Sequence, residues 1–331
     1  MKVLVTGASG FLGRSVVRAA AAAGHEVVAL VRPTANVEKL NWPANVQIVR
    51  GDLRQIGDWT KQLRAVEAVL HLAAVPSGDF ATQFAGTVVA TERLLDHLPM
   101  GSIRRFVHVS SFTVYDYAAV GFHGTLTEAT PVEREPEMRG SYTITKIVQE
   151  RLVIDTCKIA GTPFVVIRPG AIFGPGANWD FGRVLKLGPF DLVYSPWAKF
   201  PLTFVTNCAD AIIRALDATV PSGSIYNIVD DVLPSYGQFH RLGRRFGGKD
   251  VGLALYLPWL GVSLIGASVE LANRLAFDGR ARLPEMLDYR RQRVRWKPMS
   301  YSNQRAKQEL GWSPAVSLKD AILNTTVECT S

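Results

Sequence analysis

The segment Thr6-Gly7-Ala8-Ser9-Gly10-Phe11-Leu12-Gly13 decides the fold of this 331-residue chain. It follows a β-branched run at Lys2–Thr6 and leads into Leu12–Ala23, whose apolar spacing predicts a helix. The first glycine permits a tight turn, the second lets backbone amides approach a pyrophosphate, and the third lets the helix pack closely on the strand. A strand, a glycine turn and a helix in this order predict a dinucleotide-binding site.

The same alternation of strand and helix patterns continues through the first half of the chain. Helical spacing recurs at Phe80–Leu98 and Tyr142–Ala160. The predicted strands are Lys2–Thr6, Glu26–Val31, Val46–Val49, Ala68–Leu72, Phe106–Ser110 and Phe164–Arg168. This order predicts an α/β fold, a Rossmann-type doubly wound parallel sheet in residues 1–168. Residues 169–331 are expected to form mainly a smaller C-terminal α+β substrate lobe, with a strand near 224–229 returning to the sheet.

The composition is that of a soluble globular protein, with 47% hydrophobic and 20% charged residues. The net charge of +8 indicates either a solvated basic surface or an anionic partner. No zinc-finger, RRM or helix-turn-helix pattern occurs, so no nucleic-acid partner is expected. Three scattered cysteines favour a reducing, cytoplasmic location, and the histidines lack ligand spacing, so no metal is assigned.

The end of the second predicted strand bears on the choice of cofactor. An acidic residue there would bind the adenosine ribose and repel a 2′-phosphate, but the chain has Val31-Arg32-Pro33. Arg32 favours NADP, because a guanidinium pairs with a phosphate. The alternative is that Arg32 stacks on adenine while NAD is bound. Asp52 closes the third strand, where its carboxylate can accept a hydrogen bond from the adenine amino group.

A tyrosine and a lysine lie four residues apart in Tyr142-Thr143-Ile144-Thr145-Lys146, at the start of a predicted helix. They therefore share one helix face, and the ammonium is expected to lower the pKa of the phenol. That arrangement suits acid–base chemistry near neutral pH. Ser110-Ser111 ends the preceding strand and offers a hydroxyl that could orient a substrate oxygen.

These motifs together resemble the extended short-chain dehydrogenases/reductases, which include nucleotide-sugar epimerases, dehydratases, dihydroflavonol reductases and 3β-hydroxysteroid dehydrogenases. The resemblance covers nearly the whole chain. Its motifs are TGASGFLG (6–13), GDL (51–53), HLAA (71–74), SSFTVY (110–115), YTITK (142–146), RPGAIFGPG (168–176), YNIVD (226–230) and ELGWSP (309–314).

The resemblance implies roles for individual residues. Tyr142 would be the proton donor and acceptor, Lys146 would also hold the nicotinamide ribose, and Ser111, chosen over Ser110, would polarise the substrate oxygen. The implied cofactor-binding residues are Gly7, Ser9, Gly10, Phe11, Leu12, Gly13, Arg32, Asp52, Leu53, Leu72, Ala73, Ala74, Tyr142, Lys146 and Pro169. Family members often dimerise through the helices that correspond to 80–98 and 142–160, so a homodimer is expected.

Departures from the family pattern narrow the substrate. Phe112 and Thr113 stand where the 4,6-dehydratases carry an Asp-Glu pair, so dehydration is not expected. Phe200 stands where nucleotide-sugar enzymes usually place a diphosphate-binding arginine. Several aromatic residues suit an apolar or ring-bearing substrate, with ordinary core packing as the alternative for each: Phe80, Phe112, Phe173, Trp179, Phe181, Trp197 and Phe204. The expected substrate-contacting residues are Phe112, Thr113, Gly170 and Phe173.

The sequence therefore predicts an NAD(P)-dependent oxidoreductase that interconverts a ketone and a secondary alcohol on a small apolar molecule. A nucleotide-sugar epimerase acting by transient oxidation is the first alternative. A non-catalytic dinucleotide-binding interaction protein is the second.

The stretch Val251–Val269 carries no formal charge and approaches the length of a membrane span. Pro258 and several glycines interrupt it. It is therefore interpreted as a pair of buried or ligand-lining helices, with contact to a membrane surface as the weaker alternative.

Overall fold

The structure is a computed structural model, and it describes residues 1–176, 185–246, 251–278, 280 and 296–327. Its centre is a seven-stranded parallel sheet in the order β12-β7-β5-β4-β1-β2-β3. These strands are β1 Lys2–Thr6, β2 Glu26–Val31, β3 Val46–Arg50, β4 Ala68–His71, β5 Arg105–Val109, β7 Phe164–Pro169 and β12 Ser224–Ile228. The Rossmann-type sheet predicted from the sequence is confirmed.

Helices cover both faces of this sheet. The helices are α1 Phe11–Ala22, α2 Phe80–Phe84, α3 Ala90–His97, α4 Ser141–Ala160, α5 Val205–Asp217, α6 Tyr236–Phe246, α7 Trp259–Phe277, α8 Gln304–Leu310 and α9 Leu318–Val327. Shorter helical turns lie at Glu38–Leu40, Asp58–Ala65, Ala85–Val89, Met100–Ser102, Phe112–Val114, Tyr117–Ala119 and Pro136–Met138. One sheet face packs against α1 and α5, and the other packs against α3 and α4.

Most strands of the sheet are nearly continuous apolar runs because helices cover both sheet faces, whereas the edge strand β3 is largely exposed. Every residue of β4 and of β7 is buried. β12 pairs with β7, so the strand expected near 224–229 lies at the edge of the main sheet.

Three small sheets lie outside the main sheet in the described part of the chain. β8 Ala171–Phe173 pairs with β11 Leu202–Phe204, and β6 Thr125–Leu126 pairs with β14 Ser300–Tyr301. A three-stranded sheet joins β9 Leu185–Leu187, β10 Phe190–Tyr194 and β13 Leu253–Leu257 in the order β13-β10-β9.

The uncharged stretch folds differently from the pair of helices expected for it. Val251–Val269 does not form a pair of buried helices, since it contains strand β13 and then the first part of the single helix α7. Most residues of both elements are exposed or half-exposed. Pro258 separates the strand from the helix, because a proline has no amide hydrogen for the strand ladder and suits a helix start.

Candidate active site

A cleft of about 1040 Å³ lies at the carboxyl ends of the central strands. The sheet order reverses between β1 and β4, and ligands bind at such a point in doubly wound folds. All the residues assigned to the cofactor from the sequence line this cleft: Gly7, Ser9, Gly10, Phe11, Leu12, Gly13, Arg32, Asp52, Leu53, Leu72, Ala73, Ala74, Tyr142, Lys146 and Pro169. Ser111 and Gly170 line it as well.

The glycines between β1 and α1 form a cradle that fits a pyrophosphate. Gly7 has a φ of +66°, and a Cβ atom on Gly13 would lie 2.1 Å from the carbonyl oxygen of Gly7. Helix α1 begins after Gly10 without a side-chain cap, and its first turn carries no acidic residue. Its amides and positive dipole end are therefore left for an anionic ligand. The residues present fit the phosphates of a dinucleotide.

Two arginines flank the adenosine end of the cleft. Arg32 follows β2, and Arg54 donates to Asp52 from Nε at 3.0 Å and from Nη2 at 2.6 Å. Hydrogen bonds from Arg54 lower the pKa of Asp52, and the charge of Arg32 acts in the same direction. Sequence reasoning missed Arg54, although it stands two residues after Asp52 in the GDL motif.

Ser111 and Tyr142 meet at the other end of the cleft. Ser111 follows β5 and caps the turn Phe112–Val114, where its hydroxyl accepts from the Thr113 amide at 3.2 Å. Tyr142 is the second residue of α4, and Tyr142 and Ser111 both line the cleft. Burial raises the pKa of Tyr142, and the Ser111 side chain partly opposes that rise.

Lys146 lies one helical turn after Tyr142 and is only 1% exposed. Its ammonium donates to the Val109 carbonyl at 2.9 Å and to Gln149 Oε1 at 2.5 Å. Burial lowers the pKa of Lys146 to about 7. The expectation that Lys146 lowers the pKa of Tyr142 is therefore wrong: desolvation dominates at the phenol, and the ammonium is held by other oxygens.

Gln149 is a second residue that sequence reasoning missed. Its amide nitrogen donates to the Ala73 carbonyl at 2.9 Å and to Thr91 Oγ1 at 2.8 Å. His71 bonds to Thr91 and to Thr6, and burial lowers the pKa of His71 to about 3, so its ring is neutral. A buried polar network thus joins Lys146 to β1 and β4. The only sequence signal was a glutamine three residues after the lysine of the YTITK motif.

The structure separates the four expected substrate residues. Gly170 lines the cleft, and Thr113 lies beside it, bonded to Thr143 Oγ1 at 2.6 Å. Phe112 packs against Tyr115 and Tyr301, and Phe173 packs among other core rings. The interpretation of Phe112 and Phe173 as pocket-lining residues is corrected, because neither ring lines the cleft and each is buried in a separate aromatic cluster.

The remaining aromatic candidates are also dispersed. Phe204 packs in the core beside Phe173, with 5.4 Å between ring centroids. Phe80 and Trp197 are 47% and 74% exposed. Trp179 and Phe181 lie outside the described residues.

Comparison with known proteins agrees with this geometry. Residues 3–229 match the family model of the NAD dependent epimerase/dehydratase family. "Sterol demethylase protein B" of Methylococcus capsulatus is 35% identical over 55% of this chain, which spans 53% of that protein. "2-alkyl-3-oxoalkanoate reductase" of Stenotrophomonas maltophilia is 27% identical over 97% of each chain.

The crystal structure of UDP-glucuronic acid 4-epimerase from Bacillus cereus in complex with NAD has a similar fold. It superposes with a TM-score of 0.74 at 21% identity and covers 100% of this chain and 99% of the other. The fold and site are those of a nucleotide-dependent oxidoreductase. The chain belongs to the NAD-dependent epimerase/dehydratase family of extended short-chain dehydrogenase/reductase enzymes.

Proposed function

We propose that this enzyme interconverts a ketone and a secondary alcohol on a mostly apolar or ring-bearing small molecule. The observation that carries the proposal is that Ser111, Tyr142 and Lys146 together line the glycine-cradled cleft. The relative named 2-alkyl-3-oxoalkanoate reductase, which matches over 97% of each chain, supports a ketone as substrate.

The chain's own side chains supply binding and proton transfer. The glycine turn and Lys146 would hold a nicotinamide dinucleotide, which would supply or accept hydride when bound. The Ser111 hydroxyl orients the substrate oxygen, and the Tyr142 hydroxyl gives a proton to that oxygen in reduction or takes it in oxidation. Because burial raises the pKa of Tyr142, the phenol carries its proton at neutral pH, which favours the reductive direction.

The second lobe supports a substrate without a diphosphate. At the position of the family's diphosphate-binding arginine, Phe200 stacks on Tyr236 with 4.5 Å between ring centroids and packs edge-on to Phe239. The neighbouring Lys199 is exposed and donates to the Leu233 carbonyl at 3.3 Å. A packed phenyl ring cannot pair with a diphosphate, so a nucleotide-sugar epimerase is the weaker alternative.

We further infer a preference for NADP over NAD. Arg32 and Arg54 both line the adenosine end of the cleft, where a 2′-phosphate would lie. Two guanidinium groups offset the charge of Asp52 and leave a net positive site for that phosphate. The NAD bound in the Bacillus cereus epimerase is the basis of the alternative.

The test is NADPH oxidation with a panel of 2-alkyl-3-oxo acids and ring ketones. Tyr142→Phe is expected to lose at least about a hundredfold in turnover while it keeps dinucleotide binding. Tyr256→Phe, which alters a tyrosine on β13 outside the cleft, is the control and should keep full turnover.

Each alternative predicts a different outcome. Full turnover by Tyr142→Phe would remove the proposed mechanism. Epimerisation of a UDP-sugar without net NADPH consumption would favour the epimerase. Dinucleotide binding without turnover of any ketone or sugar would favour the non-catalytic protein.

A further inference from the structure

Two threonine hydroxyls join the segments that carry Ser111 and Tyr142. Thr113 Oγ1 lies 2.6 Å from Thr143 Oγ1, which is a short hydroxyl–hydroxyl hydrogen bond in which either residue can donate. The two threonines are 30 positions apart in the sequence, so the bond connects two separate elements of the fold. In the part of the chain that the structure describes, it is the only hydrogen bond that either threonine side chain makes.

Each threonine is coupled directly to one of the two cleft residues. The Thr113 amide donates to Ser111 Oγ at 3.2 Å, within the turn that Ser111 caps. Two of the three residues of this turn are buried, which holds the turn against the core. Thr143 directly follows Tyr142 in the first turn of α4. A shift of either threonine therefore shifts Ser111 or Tyr142.

The bond also restrains the start of α4, which no side chain caps. The helix begins after Gly140, which has a φ of +101°. Thr143 is 3% exposed, so its hydroxyl needs a protein partner, and Thr113 is that partner. One helical turn further, Lys146 donates to the Val109 carbonyl at 2.9 Å. Since residues three apart are neighbours on a helix surface, the two bonds attach one side of α4 to residues 109–113 at two points and restrict its rotation.

Neither threonine belongs to the wall of the cleft. Ser111 and Tyr142 line the cleft, whereas Thr113 and Thr143 do not. The Thr113 hydroxyl, which the sequence suggested for contact with substrate, is bonded to Thr143 instead. Its role therefore concerns the placement of other groups.

We propose that the Thr113–Thr143 bond is a positioning link that sets the spacing between the Ser111 and Tyr142 side chains. Turnover depends steeply on such spacing, because a displacement of about 1 Å can cost about a hundredfold in rate. The link touches neither substrate nor cofactor, so its loss lowers turnover and leaves dinucleotide binding in place. This inference rests on the proposed function, in which Ser111 and Tyr142 act on one substrate oxygen.

The test compares Thr113→Val, Thr143→Val and the double variant, since valine resembles threonine in shape and lacks the hydroxyl. Each single variant is expected to lower kcat for ketone reduction about tenfold, while KM for NADPH changes less than about twofold. The double variant should lose no more than about twice what a single variant loses, because both substitutions delete the same bond. Thr113→Ser and Thr143→Ser keep a hydroxyl and should retain kcat within about threefold of wild type.

The matched control is Thr162→Val, just beyond the far end of α4. Thr162 is also 3% exposed, and its hydroxyl donates to the Met100 carbonyl at 2.6 Å. The control should lower the free energy of unfolding in urea about as much as Thr143→Val does, and it should leave kcat unchanged. An equal loss of kcat in the control would overturn the proposal, because stability alone would then explain the effect. Unchanged kcat in both valine variants of the link would overturn it too, as would equal losses in the serine and valine variants.

Hydrogen exchange separates failure of this proposal from failure of the proposed function. Without substrate, backbone amides in residues 111–117 and 140–147 should exchange about threefold faster or more in Thr113→Val and Thr143→Val, because the link restrains both segments. Thr162→Val should match wild type in these segments. A wild type that reduces no ketone would remove the proposed function, and exchange would still decide whether the link holds the two segments together. Unchanged exchange in both segments would overturn the link whatever the turnover.

Discussion

Lys146 and Gln149 form one unit inside helix α4. The lysine ammonium donates to Gln149 Oε1 at 2.5 Å, and the glutamine amide donates to the Ala73 carbonyl at 2.9 Å. Ala73 lines the cleft just beyond β4. Gln149 therefore fixes the position of the lysine relative to the cofactor cleft, although Gln149 itself does not line the cleft.

Gln149→Leu is expected to raise KM for the dinucleotide and to lower kcat/KM by about tenfold, because it leaves the buried ammonium with one fewer acceptor. Gln149→Glu keeps an acceptor and adds a negative charge, so it should raise the pKa of Lys146 and move the pH profile of kcat/KM upward. Steady-state kinetics across pH measure both. If Gln149 had a merely structural role, the two variants would lose kcat/KM equally and the pH profile of kcat/KM would not shift.

The buried lysine also makes stability depend on pH. Its pKa is about 7 in the folded protein and 10.5 in the unfolded chain, so the unfolded chain binds more protons between these values. Below pH 7 both states are charged and the penalty for burying the ammonium is complete. As pH rises above 7, folded Lys146 loses its proton and that penalty falls.

Lys146→Met carries no titrating group at this position. Its free energy of unfolding relative to wild type is therefore expected to fall by about 2 kcal/mol between pH 7 and pH 9. Urea unfolding at the two pH values measures this difference. If the difference in unfolding free energy between Lys146→Met and wild type were the same at both pH values, the lowered pKa of Lys146 would be contradicted.

Most strands of the main sheet were predictable because they are buried on both faces. Lys2–Thr6 and Glu26–Val31 have the predicted bounds, and the other predicted bounds lie within one residue of the structure. A short run of apolar residues bounded by turn residues indicates a buried strand from the sequence alone. Val251–Val269 misled the interpretation, because apolar character alone does not say whether a segment faces the core or a surface.

The site was predictable where a short motif holds all the chemistry, as in Thr6–Gly13. Arg54 and Gln149 were missed because their hydrogen-bond partners depend on the directions of their side chains. For Gln149 they also depend on contacts between segments that are distant in the sequence. Phe112 and Phe173 were misplaced for the related reason that a ring beside a site can turn into the core. The spacing of residues predicts which side chains share one face of a helix or strand. The tertiary packing determines which residues contact that face.

Gly13→Ala is expected to abolish dinucleotide binding and to lower the free energy of unfolding by about 1–3 kcal/mol. The added Cβ would lie 2.1 Å from the carbonyl oxygen of Gly7, so the turn and α1 must separate. Gly101→Ala is the control, because no atom lies within 4 Å of its added Cβ. Fluorescence titration with NADPH and urea unfolding measure the two effects. If Gly13→Ala bound NADPH as tightly as the wild type does, the glycine turn would not be the dinucleotide-binding cradle.

The buried ion pair between Glu150 and Arg168 is expected to matter for folding. Glu150 Oε2 accepts from Arg168 Nε at 3.0 Å, and the guanidinium lies over the Tyr115 ring at 4.6 Å. Glu150→Gln leaves a buried guanidinium without its counter-charge and should lower the free energy of unfolding by about 3 kcal/mol. Asp210→Asn breaks an exposed pair with Arg214 and should change it by less than about 1 kcal/mol. Equal effects in urea unfolding would refute this ranking.

Removal of the two arginines at the adenosine end should reverse the cofactor preference. Arg32→Ala/Arg54→Ala deletes both guanidinium groups that line this part of the cleft and frees the Asp52 carboxylate from its partner. We expect KM for NADPH to rise at least about tenfold, because a charge-assisted contact to phosphate is lost, while KM for NADH changes less than threefold. Arg104→Ala, at a side chain that is 70% exposed before β5 and outside the cleft, should leave both values unchanged. If KM for NADH rose as much as KM for NADPH in the double variant, the arginines would serve adenine stacking, and the inferred preference for NADP would fail.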